Sequence, residues 1–140
     1  MKTKTQLTTI GVIIFFFLLT SFSNFENLNT INDNEFLILI QTTDNGFKLK
    51  CETGCAWKEL SFSLRDNKFQ AVDQYGMTSS DRDKQSKDDK LANFLFMIQR
   101  SKSTIKLEGK EGTAWTILNF SCIDTECYQY IDQNGMTKKD

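Results

Sequence analysis

Residues Gly54-Cys55-Ala56-Trp57-Lys58-Glu59-Leu60-Ser61-Phe62-Ser63 return as Gly112-Thr113-Ala114-Trp115-Thr116-Ile117-Leu118-Asn119-Phe120-Ser121, an offset of 58 positions. Carried outward at that offset, Phe36 falls on Phe94, Ile40 on Ile98, Gln41 on Gln99, Lys48 on Lys106 and Leu49 on Leu107. After one inserted residue, Gln70, Asp73, Gln74, Gly76, Met77 and Thr78 fall on Gln129, Asp132, Gln133, Gly135, Met136 and Thr137. A common offset held over about 43 positions with one gap is an internal duplication. The copies span residues 35–78 and 93–137, joined by a connector, residues 79–92.

The period inside each copy is two. Phe47, Leu49 and Cys51 alternate with Lys48 and Lys50, and Leu60, Phe62 and Leu64 alternate with Glu59, Ser61 and Ser63. That alternation marks half-buried strands. In copy two Ile105 and Leu107, then Leu118, Phe120 and Cys122, repeat the pattern. The Asn45-Gly46 step favours a tight hairpin. Trp57 and Trp115 lie on the parity opposite to Leu60 and Leu118, which implies a bulge or a ring packed at a rim. Four short runs per copy predict an all-β fold of two tandem four-stranded antiparallel meanders, 35–78 and 93–137. They would form a pseudo-two-fold eight-stranded barrel, which leaves no exposed edge. A β-sandwich is the alternative.

Lys2 and Lys4 precede the uncharged run Ile10–Leu19, and Ser21 and Ser23 stand at the −3 and −1 positions of a cleavage site. This is the layout of a secretory signal peptide over residues 1–23, too short to span a membrane. The segment 24–34, polar and asparagine-rich, reads as a disordered lead-in. The chain is therefore expected to be secreted or periplasmic, without stable membrane insertion. Removing Lys2 and Lys4 leaves 15 basic groups against 18 acidic ones, no basic stripe for nucleic acid. The 140 residues include no histidine, which excludes Ser-His-Asp and Cys-His machinery and imidazole metal sites. A glycine-rich phosphate loop and a nucleophile elbow are also missing. No cofactor is expected. The connector holds Asp81, Asp83, Asp88 and Asp89, but Arg82, Lys84, Lys87 and Lys90 offset them and calcium-loop spacing is absent. It reads as a solvated link with one helical turn near 87–91.

Cys51 and Cys55 have Gly109 and Thr113 as counterparts; Cys122 and Cys127 have Leu64 and Lys68. Each pair is present as a unit in one copy and absent from the other. The expected bonds are therefore Cys51–Cys55 and Cys122–Cys127, each stapling the ends of a hairpin. Four thiolates at such irregular spacing fit a zinc site poorly.

Asp73 and Asp132 are the acidic pair related by the repeat, and face to face they would make an acid/base couple. The alternative reading of Asp-Gln-x-Gly-Met-Thr is a strand end and turn. There Asp and Gln bond local backbone, Gly takes a positive φ, and Met plugs the core. Trp57 and Trp115 read as core rings, with ligand stacking as the alternative. The paired pattern Gly54-Cys55-Ala56-Trp57…Leu60-Ser61-Phe62-Ser63…Asp73-Gln74-Tyr75-Gly76-Met77-Thr78, with its copy over 112–137, resembles a group of small exported proteins of Bacteroidota. The resemblance implies a bacterial secreted setting and no catalytic residues. Three functions fit: a non-catalytic binding or structural module of the envelope, with a protein or glycan partner; an inhibitor of a secreted hydrolase; and a small enzyme using Asp73 and Asp132. Trp57, Trp115, Asp73 and Asp132 are the candidate binding residues.

Overall fold

The computed structural model describes residues 35–83, 88–123 and 127–139. The expected signal peptide and lead-in lie outside them. Every regular element among the described residues is a strand. The first copy makes β1 (Leu37–Thr43), β2 (Gly46–Thr53), β3 (Glu59–Ser63), β4 (Phe69–Asp73) and β5 (Gly76–Thr78). The second makes β6 (Leu95–Ser101), β7 (Thr104–Glu111), β8 (Ile117–Ser121), β9 (Tyr128–Asp132) and β10 (Gly135–Thr137).

All pairings are antiparallel, in two five-stranded sheets ordered β10-β9-β1-β2-β3 and β5-β4-β6-β7-β8. The two copies have traded strands. The β4–β5 hairpin of copy one extends the β6–β7–β8 sheet of copy two, and β9–β10 extends β1–β2–β3 in return. This corrects the expectation of two four-stranded meanders. Gly76 and Gly135 do not merely end a strand, but open a fifth one after a two-residue turn. The runs after Ser63 and Ser121 cross to the opposite sheet. No ladder joins the two sheets among the described residues, so the expected barrel closure is not seen. A sandwich-like arrangement fits the sheets equally well.

Alternation explains the burial. Ile38 and Ile40 of β1, Phe47 and Leu49 of β2, Phe96 and Ile98 of β6, and Ile105 and Leu107 of β7 form one buried cluster. Phe36 and Phe94, twins across the pseudo-two-fold, meet with ring centroids 4.5 Å apart. Each fully buried side chain of this size contributes about 1.5–3 kcal/mol. Both copies supply this one cluster, so they share a core.

The glycines of the Gly-x-Ala-Trp motif have a steric reason. Gly54 and Gly112 have φ of 88° and 66°, where L side chains are strained. A Cβ on either would also strike the backbone entering β1 or β6, at the carbonyls of Glu35 and Asn93. The Asn45-Gly46 step is used differently from expectation. Thr43 pairs with Gly46, so Asp44-Asn45 is the turn, and Gly46 opens β2 where a Cβ would strike the Phe62 carbonyl. The chain shifts register at Leu37/Ile38 and Leu95/Phe96, not at the tryptophans. Over 88–91 the connector forms a single turn, closed by Leu91 N–H donating to the Asp88 carbonyl at 3.0 Å.

Candidate functional site

Both Asp-Gln-x-Gly-Met-Thr segments build the same turn. Asp73 Oδ1 accepts from the Tyr75 and Gly76 amides at 2.8 and 3.1 Å. Asp132 Oδ1 accepts from Asn134 and Gly135 at 2.7 and 2.9 Å. Side-chain oxygens so placed mimic a backbone turn. Gln70 Nε2 donates to the Ala71 and Thr78 carbonyls, and Gln129 Nε2 to those of Tyr130 and Thr137. These bonds clamp the short strands β5 and β10 against β4 and β9. Met77 and Met136 are about half exposed, at 51% and 49%. They do not plug the core, because β5 and β10 are edge strands and lean past the apolar cluster.

The tryptophans join the sheets. Trp57 follows β2 in one sheet, and its indole N–H donates to the carbonyl of Asp73 in the other at 3.0 Å. Trp115 Nε1 does the same to Asp132 at 2.9 Å. The Ala56 and Ala114 amides donate beside them to the Gln74 and Gln133 carbonyls, both at 2.8 Å. Both rings are buried, so a surface ligand has no face of them to stack on.

Asp73 and Asp132 therefore end strands of different sheets, each turned into its own local cap. Beyond that their surroundings diverge. Arg82 of the connector lies over the outer face of the second sheet, with Nε 2.9 Å from Asp73 Oδ2. Its Nη2 lies 3.6 Å from Glu111 Oε2. The Arg82 side chain is 7% exposed and that of Asp73 1%. The Nε–Oδ2 contact is short but misses hydrogen-bond alignment, so its attraction is ionic. Leu95 and Ala71, beside Asp73 on that face, are buried too. No signal in the sequence marked Arg82, because a connector with balanced charges reads as solvated.

Among the described residues, the face at the twin position is open. Asp132, Leu37 and Tyr130 are only half-buried, and Tyr128 is 69% exposed. Tyr128 and Tyr130 stand where copy one has Phe69 and Ala71. Two clefts flank β9–β10. One is lined by Tyr128, Tyr130 and Met136; the other, about 550 Å³, is lined by Leu37, Glu52, Thr53, Asp132 and Lys139. The chain matches no protein-family model, no curated protein and no solved structure. Its chemistry must be argued from these groups alone.

Electrostatics on this face is local. Lys139 Nζ lies 3.1 Å from Glu52 Oε1, and that hydrogen bond holds the ammonium above its ordinary value. On the other sheet, Lys106 and then Lys110 hold the Glu108 carboxyl below its ordinary value. Asp81, in the connector, is likewise held down, by the Ser79 hydroxyl.

The expected cysteine pairs are joined, Cys51 to Cys55 and Cys122 to Cys127, with Cα atoms 6.2 and 5.3 Å apart. Neither staples a simple hairpin. Cys51–Cys55 closes the loop that leaves β2 towards Trp57, where Cys51 N–H donates to the Lys58 carbonyl. In copy two, Gly109 and Thr113 fill that space, and Thr113 Oγ1 donates to the Trp115 carbonyl. Cys122–Cys127 joins the end of β8 in one sheet to the start of β9 in the other. Among the described residues, no group of acidic residues and cysteines is placed to hold a metal ion, and no helix is long and apolar enough to cross a membrane.

Proposed function

We propose that this protein is an exported, non-catalytic binding module of the bacterial envelope, periplasmic or secreted, whose ligand surface is the outer face of the β10-β9-β1-β2-β3 sheet. The observation that carries this reading is broken symmetry. Two copies alike in turns, tryptophan bonds and core differ where Arg82 of the connector covers the Asp73 end of one face and, among the described residues, the Asp132 end of the other is left open. On the open face Leu39 pairs with Tyr130 and Gln41 with Tyr128, a patch of aromatic and aliphatic groups beside Lys48 and Lys50. Exposed Tyr on a rigid sheet supplies contact area with little conformational entropy to lose. Two disulfides support an oxidising compartment, and the signal-peptide pattern of residues 1–23 supports export.

Affinity capture from the producing cell's own envelope tests this, with the Tyr128→Ala/Tyr130→Ala variant as the control. A protein or glycan retained by the parent and lost from the variant supports the open face. Equal retention by both overturns it. The acid-pair enzyme reading has less support, since Asp73 is committed to its turn and to Arg82.

One observation favours a second reading, an inhibitor of a secreted hydrolase. Ile123, directly after the Cys122 staple, is 91% exposed, and an apolar side chain on a stapled loop suits a protease pocket. If Ile123→Ala leaves inhibition of every inhibited protease unchanged, or no secreted protease is inhibited at all, this reading falls.

A further inference from the structure

The covered face indicates what its open twin binds. Asp73 and Asp132 have the same cap, in which two backbone amides fix Oδ1. Fixing one oxygen sets the carboxylate plane, so Oδ2 leaves both turns in corresponding directions. At Asp73 that oxygen faces a guanidinium, and Arg82 lies over a floor of Leu95 with Glu111 beyond it. At Asp132 the corresponding floor is Leu37, with Thr53 beyond it, and the place of the guanidinium is an open cleft.

Resting on the open-face reading above, the geometry points to an arginine side chain of a partner protein as the ligand of the Asp132 cleft. Three features of the cleft and its surroundings suit that group. Asp132 supplies the carboxylate that a planar guanidinium pairs with. Tyr130, where copy one has Ala71, lines the neighbouring cleft two residues along β9 from Asp132, and there offers an aromatic face on which Arg stacks and a hydrated ammonium stacks less well. The lining carries Glu35, Glu52 and Asp132 against Lys138 and Lys139, so the cleft is net acidic. Lys139 is held on Glu52 at 3.1 Å, and Asp132 Oδ2 is the counterpart of the oxygen that faces Arg82 at Asp73. The lead-in, residues 24–34, contains neither Arg nor Lys and supplies no cation of its own.

The test titrates three probes into the exported, isotope-labelled protein: acetyl-Gly-Arg-Gly-amide, its lysine counterpart and its citrulline counterpart. The arginine probe should shift the amides of Leu37, Asp132 and Gly135 saturably. The lysine and citrulline probes should bind about tenfold more weakly or less. Asp132→Asn keeps the turn acceptor and should lower arginine affinity about tenfold with the rest of the spectrum unchanged. Thr53→Glu, which supplies the carboxylate that Glu111 gives the covered site, should raise it several-fold. Absence of saturable shifts up to about 10 mM, equal binding of citrulline, or binding indifferent to Asp132→Asn overturns the assignment. Capture that still depends on Tyr128 and Tyr130 would then leave the open-face reading standing. Arginine binding without such capture would have the reverse effect.

Discussion

Two aspartates with one cap between them carry different energies. Asp73 faces Arg82 in a place where the aspartate side chain is 1% and the arginine side chain 7% exposed. Removing one charge of a buried pair strands the other. Asp73→Asn should therefore cost about 3 kcal/mol, the low end of that range because Glu111 remains near Arg82. Asp132→Asn preserves the turn acceptor on a half-exposed residue and should cost less than about 1 kcal/mol. Urea unfolding of both variants measures the contrast, and equal costs would contradict it. Glu108 adds a pH dependence. Lys106, and behind it Lys110, depress its folded value, so its contribution is complete above the ordinary glutamate range. It is lost as pH falls through the depressed folded value. Between about pH 5 and pH 3 the parent should lose slightly more stability than Glu108→Gln, by a few tenths of a kcal/mol on so accessible a face. A larger loss in the variant would reverse the sign.

Among elements, the β4–β5 and β9–β10 hairpins decide the architecture. Each leaves its own copy and completes the sheet of the other, held there by the Trp57 and Trp115 indoles and the neighbouring alanine amides. A single copy has three strands of one sheet and two that pair elsewhere. Residues 35–78 or 93–137 produced alone should be unfolded as monomers, or fold as dimers that trade hairpins. Light scattering with circular dichroism distinguishes these outcomes, and a folded monomeric copy would refute the exchange. Mixing the two copies should restore β structure at equimolar ratio.

Over the whole molecule, one core is fed by two sheets and tied by covalent bonds of different reach. Cys122–Cys127 spans the passage from β8 to β9, hence from sheet to sheet, whereas Cys51–Cys55 closes a loop at one end of β2. Short loops limit each bond to about 2 kcal/mol from chain entropy. Cys122→Ser/Cys127→Ser and Cys51→Ser/Cys55→Ser should each lower stability by about that amount in urea. The first should also loosen the bond from Thr42 N–H to the Cys127 carbonyl, 3.0 Å, which continues the β1–β9 ladder beside the staple, seen as faster hydrogen exchange at Thr42. Unchanged exchange there would detach the staple from the sheet junction.

Local chemistry wrote much of this protein into its sequence. The offset of 58 positions revealed the duplication, period-two alternation gave the strands, and the one-copy distribution of cysteines gave their pairing, because each is a relation between residues near in sequence or identical in type. The turn role of Asp73 and Asp132 was legible for the same reason: an aspartate bonds to the amides two and three residues on. Strand partners were not legible. A hairpin's alternation shows which side chains are buried, but the same apolar face suits a sheet of its own copy or of the other. Only the shared core and the inter-sheet tryptophan bonds settle that choice. Nor was Arg82 legible, since a charged connector carries no periodicity that says whether its guanidinium meets water or Asp73. Tertiary structure alone placed it on one face and left the twin open, because burying a charge depends on partners that sequence separation does not reveal.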